Sequence, residues 1–391
     1  MGQLGGPVGD PLIDERIPRA AASSYDIAIV GTRGVPANYG GFETFAEELG
    51  ARLVTRGHSV TVYGRAAYVG RHPRVHRGIR VVPVRAPRGK HLETPLHTLV
   101  SALRARGAGH DVVLVCNAAN AFALPLFKAP TVLNLDGIER MRRKWGWAGR
   151  LWSRVSERLA MAMADAPVAD AAVIHDYYAR RHGRELSTIA YGGDHAPADL
   201  DPAILDRYGL KPGEYVLVVG RLEPENNALL VINAYRRVSG NKLLAVVGDA
   251  PYADGYRREV LQAAGRRVRC LGGVYGADYF ALQRYAACYV AAGEVGGTHP
   301  SVLEAMCDGG PIVANDVPEH REVLGEAALY YVPDNEASLA QRIEEVLGDR
   351  ARAKALVEAA RARIRERYRW AAIVTQYEAL FAQLCAGGKK A

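Results

Sequence analysis

The feature that most constrains this chain is a pattern that runs once and then starts again. At "YDIAIVGTRG" a short apolar run ends in glycines; "FETFAEELGARLVTRG" follows with helical spacing, and "HSVTVYGR" reads as the next strand. That is a β-α-β unit with a glycine-rich first turn. "IRVVPVRAP", "DVVLVCNAA", "PTVLNLDG" and "STIAYGGD" read as further short strands between helical stretches. After "LDPAILDRYGLKPGEY", a connecting stretch with a short helix, the pattern restarts with "YVLVVGRL", "KLLAVVGDA", "VRCLGGV", "CYVAAGE" and "PIVAND". Short apolar strands alternating with helices predict parallel sheets covered on both faces. Two doubly wound α/β halves joined near residues 197–212 imply a cleft between them, with ligands beyond the carboxyl ends of the strands.

A length of 391 residues suits two domains. The five cysteines, Cys116, Cys270, Cys288, Cys307 and Cys385, form no C-x-x-C pair and sit in apolar settings, so buried free thiols in a reducing cytoplasm are expected. Residues 1–24 are rich in Gly and Pro with no apolar core of a secretory signal, and are expected to be a disordered tail. No apolar window is long enough to span a bilayer. The formal charge of +8 is unevenly placed: residues 1–200 hold 26 Lys and Arg against 18 acidic residues, while residues 201–391 hold 24 of each. The first half is expected to face something anionic, whether phospholipid, nucleic acid or a polyphosphate acceptor, unless the excess is only a solvated basic surface.

Four stretches carry candidate chemistry. In "GEVGGTHPSVLEAMCDGGPIVAND" a Gly-Gly-Thr-His-Pro-Ser turn precedes an apolar helix with a lone acid, Glu304. Such a helix start suits an anion, and Glu304 could hold a hydroxyl-bearing group beside it. "GTRGVPANYGGFET" lacks the G-x-G-x-x-G spacing of dinucleotide enzymes, but Gly40 and Gly41 lie just ahead of a helix, where they would admit a phosphate or simply make a flexible turn. Arg221 ends the strand of "VVGRLEPENN", placed either to bridge a diphosphate or to pair with Glu223 or Glu225. In "TVLNLDGIERMRRKWGWAGRLWSR", Asp136 stands at a strand end, followed by Arg142, Arg143, Lys144, Trp145, Trp147, Arg150, Trp152 and Arg154. Trp interleaved with Arg suits an anionic bilayer headgroup layer or single-stranded nucleic acid; an ordinary helix with buried tryptophans is the plain alternative.

Together "GTRGVPANYGGFETF", "LNLDGIER…KW", "IAYGGD", "VGRLEPENN", "GGTHPSVLEAM" and "YRW…YEALF", in that order over about residues 25–384, resemble the retaining glycosyltransferases of family 4, and more closely a bacterial rhamnosyltransferase-like branch. The resemblance implies a GT-B fold, two Rossmann-like doubly wound domains facing a central cleft. It would place an acceptor-binding domain at residues 25–197 and a sugar-nucleotide-binding domain at 198–365. A C-terminal helix, 366–384, would pack back toward the first domain.

The same resemblance implies Asp136, Arg221 and Glu304 as catalytic residues. It implies donor contacts from Gly40, Gly41, Arg221, Asn226, Gly248, Thr298, Ser301, Val302 and Glu304, with no metal and no cofactor. Acceptor or membrane contacts are expected from Arg142, Arg143, Lys144, Trp145, Trp147 and Trp152. Two departures from the family pattern matter: Asn226 stands where a Lys is common, and Gly296 where a Glu is common, with Glu294 two residues before it. They point to a different donor sugar, with dTDP-L-rhamnose the expected donor and a UDP- or GDP-hexose, or sugar-nucleotide epimerisation, as alternatives. The expected partners are a nucleotide-sugar, a lipid-linked diphosphate sugar acceptor and an anionic membrane surface, with no nucleic acid, at the inner face of the cell membrane.

Overall fold

The computed structural model describes residues 24–387 apart from 73, 88, 90–92 and 250–253. The tail expected over residues 1–24 therefore lies, but for Ser24, outside the described residues. The first half builds an eight-stranded sheet from β1 (Asp26–Val30), β2 (Ser59–Arg65), β3 (Arg74–His76), β4 (Ile79–Val84), β5 (Val112–Cys116), β6 (Thr131–Asn134), β7 (Ala166–Ala169) and β8 (Ser187–Thr188). Its order is β3-β4-β2-β1-β5-β6-β7-β8, and only the β3–β4 pair is antiparallel. The second half builds a six-stranded parallel sheet from β9 (Tyr215–Val219), β10 (Leu243–Val247), β11 (Val268–Gly272), β12 (Cys288–Ala291), β13 (Ile312–Asn315) and β14 (Ala328–Tyr331), in the order β11-β10-β9-β12-β13-β14.

The central strands have no polar face because helices cover both sides. β1 and β5 are buried almost throughout, and so are β9 and β12. The strand order reverses between β1 and β5 in one sheet and between β9 and β12 in the other. The loops after those four strands diverge at the carboxyl edge and leave a crevice in each half. The two crevices face each other.

The chain crosses between halves twice. Residues 190–201 lead out of β8, and the 368–369 break between helices Arg350–Arg367 and Trp370–Ala386 leads back. The last helix buries Trp370, Ile373, Val374, Tyr377 and Phe381. Phe45 of the first half lies 4.8 Å from Tyr191 and 5.6 Å from Tyr377, ring to ring, and Asn134 donates to the Tyr377 hydroxyl at 3.2 Å. The helix is thus bound to the first half by this inward stripe. Three strands were not anticipated from the sequence: β3 ("RVH"), β7 ("APVA") and β14 ("ALYY") are three or four residues each, too short for a periodic signal.

Candidate active site

A cavity of about 1330 Å³ lies between the halves. It exceeds the roughly 300–1,000 Å³ usual for one small ligand, so there is room for two reactants. Gly40, Gly41, Asp136, Arg142, Lys144, Trp145, Trp152, Arg221, Asn226, Gly248, Thr298, Ser301, Val302 and Glu304 all line it; Arg143 and Trp147 do not.

Two helices start at this cavity from opposite sides. Helix Gly41–Thr55 comes from the loop after β1, and helix Pro300–Asp308 from the loop after β12. They come so close that a Cβ on Gly41 would lie 3.3 Å from the Pro300 ring. Nearby the backbones of the two halves touch, since a Cβ on Gly137 would fall 2.6 Å from the Gly296 Cα. Each helix start carries a partial positive charge of about half a unit; at the second, Pro300 has no N–H and the Val302 amide donates to the His299 carbonyl at 3.0 Å, which leaves the Ser301 amide open. Neither has a side-chain cap, so the open amides remain available to a bound group.

Glu304 sits in the second turn of the helix that starts at Pro300. It is buried and accepts a hydrogen bond from the Tyr279 hydroxyl. Its other oxygen lies 2.9 Å from His195 Nε2. Trp370 Nε1 points at His195 Nδ1 at 3.3 Å, so in the neutral ring the proton sits on Nε2 and is donated to Glu304. Burial works against a charge on His195, but the hydrogen bond and the charge of Glu304, with Glu48 behind, raise its pKa overall.

Arg221 projects from the turn after β9. Its Nη2 lies 3.4 Å from a Glu223 oxygen, and its guanidinium 5.9 Å from the Tyr39 ring centre. Arg33, from the loop after β1, covers the same ring at 3.0 Å. Asn226 donates to the Arg221 carbonyl at 2.8 Å and holds the turn. Gly248 has φ +147, and a Cβ there would lie 1.9 Å from the Gly220 carbonyl, so that crossing admits only glycine. Thr298 is bound on both sides: its Oγ1 donates to Asp170 at 3.3 Å and accepts from the Tyr191 amide at 3.1 Å.

Asp136 follows β6 in a left-handed conformation, φ +58, and its amide donates to the Asn134 side chain at 3.2 Å. Its carboxylate lies 3.8 Å from Arg142. Burial raises its pKa, opposed by Arg142 and aided by the charge of Glu139. Glu139 moves the other way. Burial pushes it up, but Arg142, Lys144 and the Trp145 N–H outweigh that and bring its carboxyl down to about 2. His299, also on the cavity wall, is held neutral by burial first, then by the nearness of His320 and the charge of Arg142, its pKa lowered to about 3.

The basic, Trp-rich segment divides. Arg142 is 5% exposed and sits between Glu139, Asp136 and Glu225, so it has no place on an outer surface. Lys144 reaches Glu223 across the cleft at 3.2 Å, and Trp145 donates to Glu139 at 3.1 Å. Arg143 pairs across the cleft with Glu294 at 2.8 Å and Asp334 at 3.3 Å. From residue 147 the segment faces outward. Trp147 is 82% exposed, followed on the same helix (Trp147–Met163) by exposed Leu151, Trp152 and Val155 and by exposed Arg150, Arg154 and Arg158. Trp152 belongs to both regions, since it also lines the cavity. The sequence places these residues within a few positions of one another, but the turn at Gly146 sends them to different faces.

Glu294 does not line the cavity; Asn227 donates to it at 2.8 Å and Arg143 pairs with it. The residues that the sequence reading missed are His195, Tyr279, Tyr39, Arg33 and Glu139. His195 directly follows "IAYGGD", Arg33 and Tyr39 lie inside "GTRGVPANYGGFET" and Glu139 lies inside "LNLDGIER", so those motifs held a signal; Tyr279 arrives from a separate helix. Among the described residues, no group of three His, Cys, Asp or Glu side chains is placed to hold a metal ion, and no helix is long and apolar enough to cross a membrane.

Residues 40–192 match the family described as a glycosyl transferase 4-like domain, and residues 204–363 match glycosyl transferases group 1. A glycogen synthase of Mycobacterium tuberculosis is 25% identical over 392 residues, covering 89% of this chain and 92% of its own. O-antigen chain mannosyltransferase B of Escherichia coli is 28% identical over 160 residues, 39% of this chain and 42% of its own. Sucrose-phosphate synthase from Thermosynechococcus elongatus shares the fold with a TM-score of 0.77 at 20% identity, over 93% of this chain and 100% of that one. Anabaena HepE, solved in complex with UDP and glucose, has a TM-score of 0.73 at 18% identity, over 92% of this chain and 100% of that one.

Proposed function

We propose that this chain, a member of the GT-B glycosyltransferases, moves a sugar, with retention of configuration, from a nucleoside diphosphate on its second half to an acceptor on its first. The observation that carries this reading is the pair of helix starts meeting at Gly41 and Pro300, with Arg221 beside them. A diphosphate between them would meet amides from both sides and a guanidinium. Glu304 would accept a hydrogen bond from a hydroxyl of the nucleoside sugar, taking the place of the bond it now shares with His195.

In the reaction the bond between sugar and diphosphate breaks and the acceptor oxygen bonds to the same carbon from the same face. Its proton passes to an oxygen of the departing diphosphate. Charge grows on the leaving phosphate, where Arg221 and the Pro300 helix start stabilise it. Asp136, on the cavity wall near Arg142, would face the sugar, where positive charge develops. The contact of the halves at Gly137 and Gly296 would keep water out.

The donor we favour is dTDP-L-rhamnose. Position 296 carries no carboxylate, and Glu294 is turned from the cavity into contacts with Asn227 and Arg143. A carboxylate aimed at hexose hydroxyls is therefore missing from that loop. A UDP- or GDP-hexose donor is the second reading, supported by the relatives named glycogen synthase and mannosyltransferase.

For the acceptor we favour a lipid-linked diphosphate sugar at an anionic membrane on the cytoplasmic side, in the synthesis of a cell-surface polysaccharide. The support is Trp152, which connects the exposed Trp147–Leu151–Val155 patch and its arginines to the cavity. The test is incubation with a panel of sugar nucleotides and a membrane lipid extract. The reading expects nucleotide release and a new glycolipid, greatest with dTDP-L-rhamnose. An altered free sugar nucleotide formed without lipid would instead mean epimerisation, and activity confined to a UDP- or GDP-hexose would move the donor to the second reading.

A further inference from the structure

A nucleoside diphosphate sugar carries a negative charge on each phosphate and gains another as the sugar leaves. On the second half of the chain Arg221 is the only Arg or Lys among the described residues lining the cavity. His299 and His320, also on the wall, are neutral because burial lowers their pKa values to about 3 and about 4. Asn226 is uncharged and committed to the Arg221 carbonyl. One guanidinium and one helix start, itself worth about half a charge, leave the diphosphate under-neutralised by the half that binds it.

The first half brings further cations to the cavity, and most are already engaged. Arg142 donates to Glu139 at 2.7 Å, Arg33 lies over Tyr39, and Arg65 donates to Thr94 at 2.9 Å and lies 3.5 Å from Glu93. Lys144 is different. Its ammonium crosses the cleft to the Glu223 carboxylate, 3.3 and 3.2 Å from the two oxygens, and Arg221 Nη2 lies 3.4 Å from the same carboxylate. One carboxylate thus bridges a cation from each half, an arrangement that a phosphate could replace. Lys144 is half-buried; burial first and the nearness of Arg221 second lower its pKa, so the two cations do sense each other.

We infer that Lys144 is the second diphosphate-binding cation, supplied across the cleft by the first half, with a donor phosphate taking the bridging place now held by Glu223. This rests on the nucleotide-sugar reading above. It carries a consequence for specificity. Since one cation stands on each half, the diphosphate is fully neutralised only when the halves are closed, and an open enzyme would bind the donor without activating it toward water.

The test compares diphosphate with monophosphate. Calorimetric affinities for UDP, UMP, dTDP and dTMP would be measured with the parent, Lys144→Met and Lys144→Arg. The account expects Lys144→Met to lose about tenfold in affinity for the diphosphates and less than about twofold for the monophosphates, a charge-dependent loss of about 1.4 kcal/mol. Lys144→Arg, which keeps the charge, should keep the parent's ratio. If Lys144→Met retains that ratio, or weakens both classes alike, Lys144 only ties the halves together and the inference is overturned. It is also overturned if Lys144→Arg loses the ratio as fully as Lys144→Met. A parent that prefers neither diphosphate over its monophosphate would overturn the underlying donor reading itself.

Discussion

His195 Nε2 lies 2.9 Å from Glu304 Oε1, with both side chains almost wholly buried. The pair joins the segment that crosses between the halves to the helix that starts at the cavity. Glu304 is therefore not waiting unpaired: His195 and Tyr279 hold it in place, and a ligand hydroxyl would have to take over one of those bonds.

Glu304→Ala should weaken nucleotide binding by about 1.5–3 kcal/mol, the range for a hydrogen bond to a charged group. Titration calorimetry with UDP and dTDP reads this directly. Unchanged affinity would leave Glu304 as a partner of His195 and nothing more.

Arg221→Ala should act on turnover more than on binding, because the diphosphate gains charge as it leaves. The expected fall in kcat is about 10²–10³-fold. A raised KM with normal kcat would make Arg221 a clamp for the ground state only.

Asp136→Asn is a clean substitution because Asn tolerates the left-handed backbone that Asp136 adopts. The account expects a large loss of kcat with an unchanged melting temperature. Near-normal activity would restrict Asp136 to ordering the turn with Asn134 and Arg142.

Asp170 is fully buried, and the Thr298 amide donates to it at 2.8 Å across the halves. Burial, and then the charge of Asp136, raise its pKa to about 8 against the opposing Thr298 bonds. An unfolded Asp titrates near about 3.9. Between those values the folded protein holds the extra proton, so this group makes stability fall as pH rises from about 4 to 8. Asp170→Asn should flatten that part of the curve and melt higher than the parent at pH 8. Thermal melts of both proteins across this range decide it, and parallel curves would contradict the assignment.

Trp147 and Leu151 are exposed on one helix beside Arg150 and Arg154. Replacing both with Ser should reduce sedimentation with anionic liposomes and leave nucleotide affinity and melting temperature unchanged. Salt should release the parent, since the arginines contribute about 1 kcal/mol each near an anionic surface. Trp145→Ala should instead lower activity on a soluble acceptor, because Trp145 lines the cavity. Equal liposome binding by parent and double variant would remove the membrane reading of this helix.

Much of the architecture could be read from the sequence because buried parallel strands are continuous apolar runs bounded by glycine. β1, β9 and β12 all have that form, β5 is an apolar run that ends at Asn117 instead, and the ends of the four locate the cavity. β3, β7 and β14 could not be read, since strands of three or four residues show no period. The anion-facing helix at Pro300 was visible in its turn residues. Its neighbours were not, because contacts such as His195–Glu304 and Lys144–Glu223 join positions 109 and 79 residues apart. The stretch from Arg142 to Trp152 is the instructive case. Composition suggested one surface, whereas the turn at Gly146 sends Arg142, Lys144 and Trp145 inward and Trp147 outward.

The most direct measurement is an experimental structure with UDP or dTDP bound. The account predicts the diphosphate between the start of helix Gly41–Thr55 and the start of helix Pro300–Asp308. Its oxygens should lie within hydrogen-bond distance of Arg221 and the Ser301 amide, with a sugar hydroxyl on Glu304. A nucleotide bound away from the Pro300 helix start, or with its phosphates in solvent, would contradict it.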